Sequence, residues 1–432
     1  MGRLKVSGRG RRRVLSGHPW VYRDELTDVA AEGGDLVEVR APRGDVLGWG
    51  LYSAASKIGL RMVTREPEQP NRAFWARRLG RALDARRGAG LLDPAGAERL
   101  VAGDADGVPG LVVDRYGDRL VIQSGTQGSD RMRDFLLELL EEGLAARGVA
   151  VAGVLDRSDA SVRRHEKLEP RVGWLRGGPP EGGALWVREA GLEFAVDLEG
   201  GHKTGHYLDQ RDNRVRAAAL AGAWRAHGFA GGDGAQADGA PADGAQADGA
   251  PGAGSGPRVL DVFSYDGLFG LRCAAAGAAE VLCLDQAAAA GDRVLANAAR
   301  NGLDGRVAFE RVDAMDDLGR RVAAGERWDL VVLDPPAFAR SRREVPGAKR
   351  GYGELFRRGF QLLADGGFLV AATCSYNLRR EDFFEVLTKA AKDARAEATL
   401  LELTGAAPDH PRRLDLPETD YLKCAFLRVE AR

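Results

Sequence analysis

The sequence predicts an α/β protein whose carboxy-terminal half forms a Rossmann-like, doubly wound sheet. Three apolar runs carry this prediction, because each ends in a polar motif of the kind found where a strand leaves such a sheet. The motifs are Asp261, Asp334-Pro335-Pro336 and Thr373-Cys374-Ser375. Parallel strands present their carboxyl ends at one edge, so we expect the three motifs to lie together there.

Length and composition set the broad class. A chain of 432 residues corresponds to roughly three domains, and a hydrophobic fraction of 44% is enough for ordinary cores. Basic and acidic residues balance at 62 against 63, so net charge indicates no partner. We expect a soluble, cytoplasmic protein, because no apolar stretch is long enough to span a bilayer and no secretory leader is apparent. Of the four cysteines, three lie among apolar neighbours, as buried thiols do in a reducing compartment.

The first predicted domain covers residues 1–70 and is mostly β. Short strand-like runs at 36–39, 46–52 and 58–63 precede two prolines that mark its end. Residues 1–23 hold seven basic side chains and no acid. We interpret them as a basic arm that holds phosphates while Trp20 and Tyr22 stack on bases. A solvated tail with Trp20 in a core is the alternative.

The second predicted domain covers residues 71–188 and mixes both element types. A basic helix is expected around 74–87, and strands are expected at 111–114 and 120–122. Apolar residues then recur at helical spacing from Met132 to Leu144, which indicates a helix packed on the core and ended by Gly148.

The third predicted domain covers residues 189–432 and alternates strands with helices. Its strands are expected to end near Asp261, Asp285, Asp313, Asp334 and Ser375. Two last runs, at 400–403 and 421–429, predict an antiparallel pair at the sheet edge. An insertion at about 231–257 repeats Asp every five residues among Gly, Ala, Gln and Pro, a composition that predicts a disordered coil.

A strand, a turn and a helix start at 259–270 predict a site for a nucleoside-containing cofactor. Phe263, Ser264 and Gly267 form the turn, where glycine allows close backbone approach. Asp285 ends the next strand, where a carboxylate can accept both ribose hydroxyls. Asp313 ends the third strand and is placed to touch an adenine edge, or is simply a solvated carboxylate.

Asp334 and Cys374 are the candidate catalytic residues. The two prolines after Asp334 remove two N–H donors and stiffen the turn, as in methyltransferases that act on planar rings. A thiolate that adds to carbon 6 of cytosine activates carbon 5 for methylation, and a carboxylate near N3 stabilises the adduct. A thiol and an acid on adjacent strand ends meet that requirement, although a cysteine at a strand end is usually inert.

A polar run at 201–211 precedes this sheet. His202 and His206 have a spacing that could ligate zinc, but no Cys or His follows nearby, so we expect no metal. We expect a turn leading into a helix, with Tyr207, Asp209 and Gln210 facing the cofactor.

Taken together, these motifs resemble the ribosomal large-subunit RNA methyltransferase I family, nearly end to end. The matching segments are 17–22, 103–110, 156–159, 202–205, 207–212, 263–267, Asp334-Pro335-Pro336 and Cys374-Ser375. The resemblance implies a PUA RNA-binding domain, a central α/β domain and a class I methyltransferase domain. It also implies S-adenosylmethionine as cofactor, Cys374 as nucleophile and Asp334 beside the base. Ala337 departs from the family, which often has Lys there.

The expected function is therefore methylation of cytosine carbon 5 in RNA, most directly large-subunit ribosomal RNA. Two alternatives stay open: a methyltransferase of another base or ring nitrogen with Cys374 merely structural, and a non-catalytic RNA-binding assembly factor with the same fold. No membrane partner is expected. The oligomeric state is left open, a homodimer included.

Overall fold

A computed structural model describes residues 2–182, 184–224, 256–339 and 341–431. The chain forms two compact units, one of Met1–Arg211 with Ala406–Asp420 and one of Asp212–Gly405 with Tyr421–Arg432. Nearly all of the predicted insertion at 231–257 lies outside the described residues. The predicted domain boundaries near residues 70 and 188 stay a prediction.

The first unit opens with a six-stranded sheet. Its strands are β1 (Gly2–Val6), β2 (Trp20–Tyr22), β3 (Leu26–Ala30), β4 (Leu36–Arg40), β5 (Val46–Tyr52) and β6 (Ile58–Thr64), in the order β2-β6-β5-β4-β1-β3. Only β1 and β4 pair in parallel. Alternate residues of β1 and β4 point into a buried core, as a sheet with one covered face requires.

The basic segment at the start is part of this sheet domain and not an extended arm. It contains β1, helix α1 (Gly8–Leu15) and β2, and the Ser7 hydroxyl caps α1 by accepting the Gly10 N–H at 3.3 Å. Arg9 and Arg13 donate to Glu25, which is fully buried. Helix spacing places both arginines over one carboxylate, so part of the basic charge is neutralised within the fold.

A second sheet follows in the same unit. Its strands are β7 (Ala97–Ala102), β8 (Leu111–Tyr116), β9 (Arg119–Ser124), β10 (Gly153–Ser158) and β11 (Arg171–Arg176), in the order β11-β10-β9-β8-β7. Helices α2 (Arg72–Gly88), α3 (Gln127–Ala145) and α4 (Val162–His165) accompany it, and β12 (Leu185–Glu189) pairs with β13 (Leu192–Val196). The apolar stripe of α3 packs into this core, as its spacing predicts.

The second unit contains a seven-stranded sheet. Its strands are β14 (Arg258–Val262), β15 (Glu280–Asp285), β16 (Val307–Arg311), β17 (Trp328–Leu333), β18 (Leu363–Thr373), β19 (Ala396–Thr404) and β20 (Lys423–Ala431), in the order β16-β15-β14-β17-β18-β20-β19. The first five strands are parallel, and β20 pairs antiparallel with both β18 and β19. The predicted fold class and edge pair are confirmed.

Helices surround this sheet. They are α5 (Arg211–Ala223), α6 (Leu268–Ala275), α7 (Ala290–Arg300), α8 (Ala314–Ala323), α9 (Val345–Gln361) and α10 (Arg380–Asp393). The strand order reverses between β14 and β17, and ligands of doubly wound sheets bind outside the carboxyl ends at such a reversal. Among the described residues, none of the helices has the length and apolar character needed to cross a bilayer.

Candidate active site

The turn after β14 has an unusual backbone. Phe263, Tyr265 and Gly267 all have positive φ angles, of 63°, 54° and 80°. Two of these residues are aromatic, and a side chain in the left-handed region costs on the order of 1–3 kcal/mol. The Ser264 N–H donates to the Leu284 carbonyl at 3.0 Å and the Gly267 N–H donates to the Ser264 carbonyl at 2.8 Å. Strain of this kind persists where surrounding contacts hold it, often at binding sites.

Asp285, the last residue of β15, helps to hold that turn. Its Oδ2 accepts the Tyr265 N–H at 3.0 Å and its Oδ1 accepts the Ala287 N–H at 2.8 Å. Each carboxylate oxygen has a further lone pair, so the group can still accept from hydroxyls of a ligand. Asp285 thus connects the two strand ends that flank the predicted cofactor site.

Four carboxylates gather at this edge of the sheet. Asp261 is buried and its Oδ2 accepts the Gly270 N–H at 2.9 Å. Burial raises the pKa of Asp261 to about 8 in spite of that hydrogen bond, and the nearby charges of Asp334, Asp266 and Asp285 act in the same direction. The edge therefore has a negative potential that suits a cationic ligand.

Asp313 has a structural role in addition to any contact with a ligand. It is the residue before α8, and its side chain accepts the Asp316 N–H at 3.1 Å. This is an ordinary N-cap, which satisfies one of the orphan donors at a helix start. The predicted contact with adenine stays a prediction.

Asp334 and Cys374 leave neighbouring parallel strands. Leu333 of β17 is in register with Ala371 of β18, so Asp334 comes directly after one strand and Cys374 directly after the other. Cys374 is partly exposed, whereas the other three cysteines are buried. Burial raises the pKa of each of those three thiols and keeps them protonated. Cys374 is thus the accessible thiol of the chain.

A buried group of hydroxyls connects the two strand ends that precede Asp334 and Cys374. The Tyr352 hydroxyl, from α9, accepts from the Thr373 hydroxyl at 2.9 Å and lies 2.8 Å from Ser375 Oγ. It also accepts the Phe338 N–H at 3.2 Å, and its ring stacks on Phe338 with centroids 4.4 Å apart. One side chain therefore fixes the loop after Asp334 and both residues that flank Cys374.

Lys423 supports the same strand end from β20. It is 2% exposed, and its ammonium donates to the carbonyls of Ser375 at 3.1 Å and Tyr421 at 3.3 Å. Lys423 thus holds the backbone of Ser375, the residue that follows Cys374.

The remaining predicted cofactor residues belong to the first unit. Tyr207, Asp209 and Gln210 lie at the single helical turn Leu208–Gln210, immediately before α5. Lys203 contacts two of them: its ammonium donates to Asp209 at 2.8 Å and lies 4.4 Å from the centroid of the Tyr207 ring. Phe263, Ser264, Gly267, Asp285, Asp313, Asp334 and Cys374 belong to the second unit.

Sequence reasoning missed Tyr352 and Lys423. Tyr352 is in no motif, and its position on the buried stripe of α9, with Ala348 and Phe356, reads as core packing. Lys423 opens β20, between β18 and β19, and a lysine at the start of a strand is ordinarily solvated. Their roles depend on contacts between elements, which no local pattern encodes.

Known families match both ends of the chain. Residues 4–65 match a PUA-like domain, and residues 250–417 match the S-adenosylmethionine-dependent methyltransferase family. Among solved structures, a protein crystallised with SAH is similar to this chain at a TM-score of 0.78 and 20% identity, covering 99% of this chain and 100% of that one. A protein from Streptococcus mutans, assigned as a SAM-dependent methyltransferase, has a TM-score of 0.77 at the same identity and coverage.

Curated relatives match over the full length. The Ribosomal RNA large subunit methyltransferase I of Aeromonas hydrophila is 34% identical over 98% of both chains. That of Shewanella denitrificans is 35% identical over 99% of both chains. The cofactor is S-adenosylmethionine, and the chain belongs to the ribosomal RNA large subunit methyltransferase I family.

Proposed function

We propose that this protein methylates carbon 5 of a cytosine in large-subunit ribosomal RNA. The observation that carries the proposal is the pairing of a partly exposed thiol, Cys374, with a carboxylate, Asp334, at the ends of adjacent parallel strands. The full-length relatives are named for ribosomal RNA of the large subunit, and the PUA-like domain at 4–65 suits an RNA substrate.

We propose that the cofactor binds at the reversal in strand order. Bound S-adenosylmethionine supplies an electrophilic methyl group on a sulfonium centre. The carboxylates at this edge favour that positive charge, and Asp285 accepts hydrogen bonds from the ribose hydroxyls. Phe263, Ser264 and Gly267 line the turn beside it, and Asp313 reaches the adenine. Tyr207, Asp209 and Gln210 are proposed as further cofactor contacts on the evidence of their motif.

The proposed chemistry uses this chain's own groups in sequence. The Cys374 thiolate adds to carbon 6 of the base, which forms a carbon–sulfur bond and makes carbon 5 nucleophilic. Asp334 holds the N3 side of the ring and stabilises the adduct. After carbon 5 gains its methyl group, it loses its proton to a base, and the carbon–sulfur bond breaks to release Cys374.

A trap tests this mechanism directly. RNA with 5-fluorocytosine at the target carries no proton that can leave carbon 5, so methyl transfer should leave enzyme and RNA covalently joined. The adduct should require S-adenosylmethionine, survive denaturing electrophoresis and map to the peptide that holds Cys374. Cys374→Ala should abolish turnover with cofactor and RNA affinity nearly intact, the pattern of a group needed in the transition state.

Cys273→Ala and Cys283→Ala are the matched controls, because both thiols are buried and outside the proposed chemistry. Both variants should still form the adduct. A Cys374→Ala enzyme that methylates carbon 5, or an adduct at another residue, would refute the mechanism. Methylation of a ring nitrogen would support an Asp334-Pro335-Pro336 mechanism in which Cys374 is structural, and no methyl transfer at all would support an RNA-binding assembly factor.

A further inference from the structure

A groove of about 570 Å³ lies within the first unit, and none of the residues proposed for catalysis or cofactor binding lines it. One wall is the end of β6 and the residues after it, another is α2, and a third is the loop around residues 104–109. This volume lies in the range of ligand clefts, about 300–1,000 Å³. Four arginines line it: Arg65, Arg78, Arg81 and Arg413.

Two of the charges in the groove are already neutralised. Asp106 accepts two hydrogen bonds from Arg86, at 2.8 and 2.7 Å, and Arg413 donates to Asp415 at 2.8 and 2.5 Å. The Asp104 carboxylate accepts the Trp20 indole N–H at 2.7 Å. The remaining charges of the groove are three positive ones, on the other three arginines, and two negative ones, on Asp104 and Glu66.

None of those three arginines has a hydrogen-bonded carboxylate within the described parts of the chain. Arg65 donates to the carbonyl of Val14 at 3.0 Å, and Arg78 Nη1 donates to the carbonyls of Val63 at 2.7 Å and Gly107 at 2.8 Å. Arg81 is exposed and, among the described residues, makes no hydrogen bond or ion pair. Carbonyls orient a guanidinium without cancelling its charge.

Arg78 is a partly buried guanidinium that lies near the charges of Arg413 and Arg81. Burial, together with the nearby charges of Arg413 and Arg81, lowers the pKa of Arg78 to about 10. An arginine in water stays protonated well above that value. Its Nη1 is anchored, whereas Nε and Nη2 make no hydrogen bond to any described residue. A fixed fork of free donors beside a second cation is the geometry that binds a phosphate.

We propose that this groove binds a backbone phosphate of the RNA substrate, with Arg78 and Arg81 as its ligands and Arg65 flanking them. The proposal rests on the proposed function only in taking RNA as the substrate. It gives the basic helix α2 a role: to contact the RNA backbone, which positions the strand without reading its sequence.

Salt dependence of RNA binding tests the proposal. The probe is a fluorescently labelled single-stranded oligoribonucleotide bound by the full chain at a series of NaCl concentrations. Arg81→Ala should weaken binding and reduce the slope of log affinity against log salt by about 0.7, the value for one lost phosphate contact on a single strand. Arg81 is exposed, so the variant should fold normally, and S-adenosylmethionine affinity should be unchanged.

Arg87→Ala is the matched control. Arg87 is exposed on the same helix and does not line the groove, and at 3.6 residues per turn it points about 120° away from Arg81. Its removal changes net charge equally but should leave the slope close to that of the wild type. In the methylation assay, Arg81→Ala should raise the KM for RNA with kcat nearly unchanged.

Two results would overturn the proposal. One is an equal salt slope for wild type, Arg81→Ala and Arg87→Ala. The other is saturation of the groove by inorganic phosphate or pyrophosphate with no Arg81-dependent RNA binding, which would identify a small-anion site. Neither result depends on which base is methylated. If the cytosine mechanism failed, nucleoside analysis would show it, and the difference in salt slope between wild type and Arg81→Ala would remain.

Discussion

At the residue scale, Asp285 joins the strained turn to the end of β15 through the amides of Tyr265 and Ala287. Asp285→Ala should weaken S-adenosylmethionine binding roughly 10- to 150-fold, because charge-assisted hydrogen bonds worth about 1.5–3 kcal/mol are lost. Calorimetry measures the affinity. Asp292→Ala, an exposed acid in the first turn of α7, is the charge-matched control and should bind normally. Equal affinity in the two variants would exclude Asp285 from the cofactor site.

Tyr352→Phe tests whether the tyrosine hydroxyl positions Cys374. Tyr352→Phe keeps the ring that stacks on Phe338 and removes the hydroxyl shared by Thr373 and Ser375. We expect kcat to fall about 10- to 100-fold, since small misplacements of reacting groups are costly, with the Kd for S-adenosylmethionine unchanged. Stability should fall by about 1–3 kcal/mol. A variant with reduced stability and full kcat would show a purely structural role.

At the element scale, two helical glycines should respond oppositely to alanine. In α2, a Cβ at Gly80 would have its nearest neighbour 3.6 Å away, so Gly80→Ala should stabilise by about 0.5–1 kcal/mol. In α6, a Cβ at Gly270 would lie 2.6 Å from Val281 Cγ1 and 3.0 Å from Cys283 Sγ. Gly270→Ala should therefore destabilise by about 1–3 kcal/mol. Thermal unfolding of the two variants measures both changes in stability. An increase in the stability of Gly270→Ala would contradict the close packing of α6.

The elements differed in how readily the sequence revealed them. Strands β14, β15, β16, β17 and β18 end within two residues of the predicted positions. Four of them are mostly buried and read as apolar runs, whereas β16 is a largely exposed edge strand. Helix α1 was missed, because Arg11, Arg12 and Arg13 dominate its composition and only Val14 and Gly10 are buried. The hydrogen bonds of Tyr352 could not be predicted from the sequence, because they join α9 to the end of β18 and form only when these elements pack together.

At the scale of the whole molecule, Asp261 should make stability depend on pH. Its pKa is about 8 in the folded protein and roughly 4 when the chain unfolds. Between these values the unfolded chain gives up a proton that the folded chain keeps. The contribution of Asp261 to the free energy of unfolding is therefore full below about pH 4 and is lost as the pH rises to 8. The melting temperature of Asp261→Asn, measured relative to that of the wild type at the same pH, should therefore increase between pH 5 and pH 8. An offset that is constant with pH, as expected for exposed Asp292→Asn, would contradict the buried proton.

The return of residues Ala406–Asp420 to the first unit bears on how this gene can recombine. Asp409 in that segment is buried and accepts from the Arg99 N–H at 2.9 Å and from Arg211 at 3.0 Å. Burial alone would raise the pKa of Asp409, but His410 and Arg211 lower it overall, so it is charged at neutral pH. A crossover before residue 406 would leave Arg211 without its buried anion. Neither unit is a contiguous stretch of the gene, so a single exchange cannot transplant one intact, and selection acts on both together.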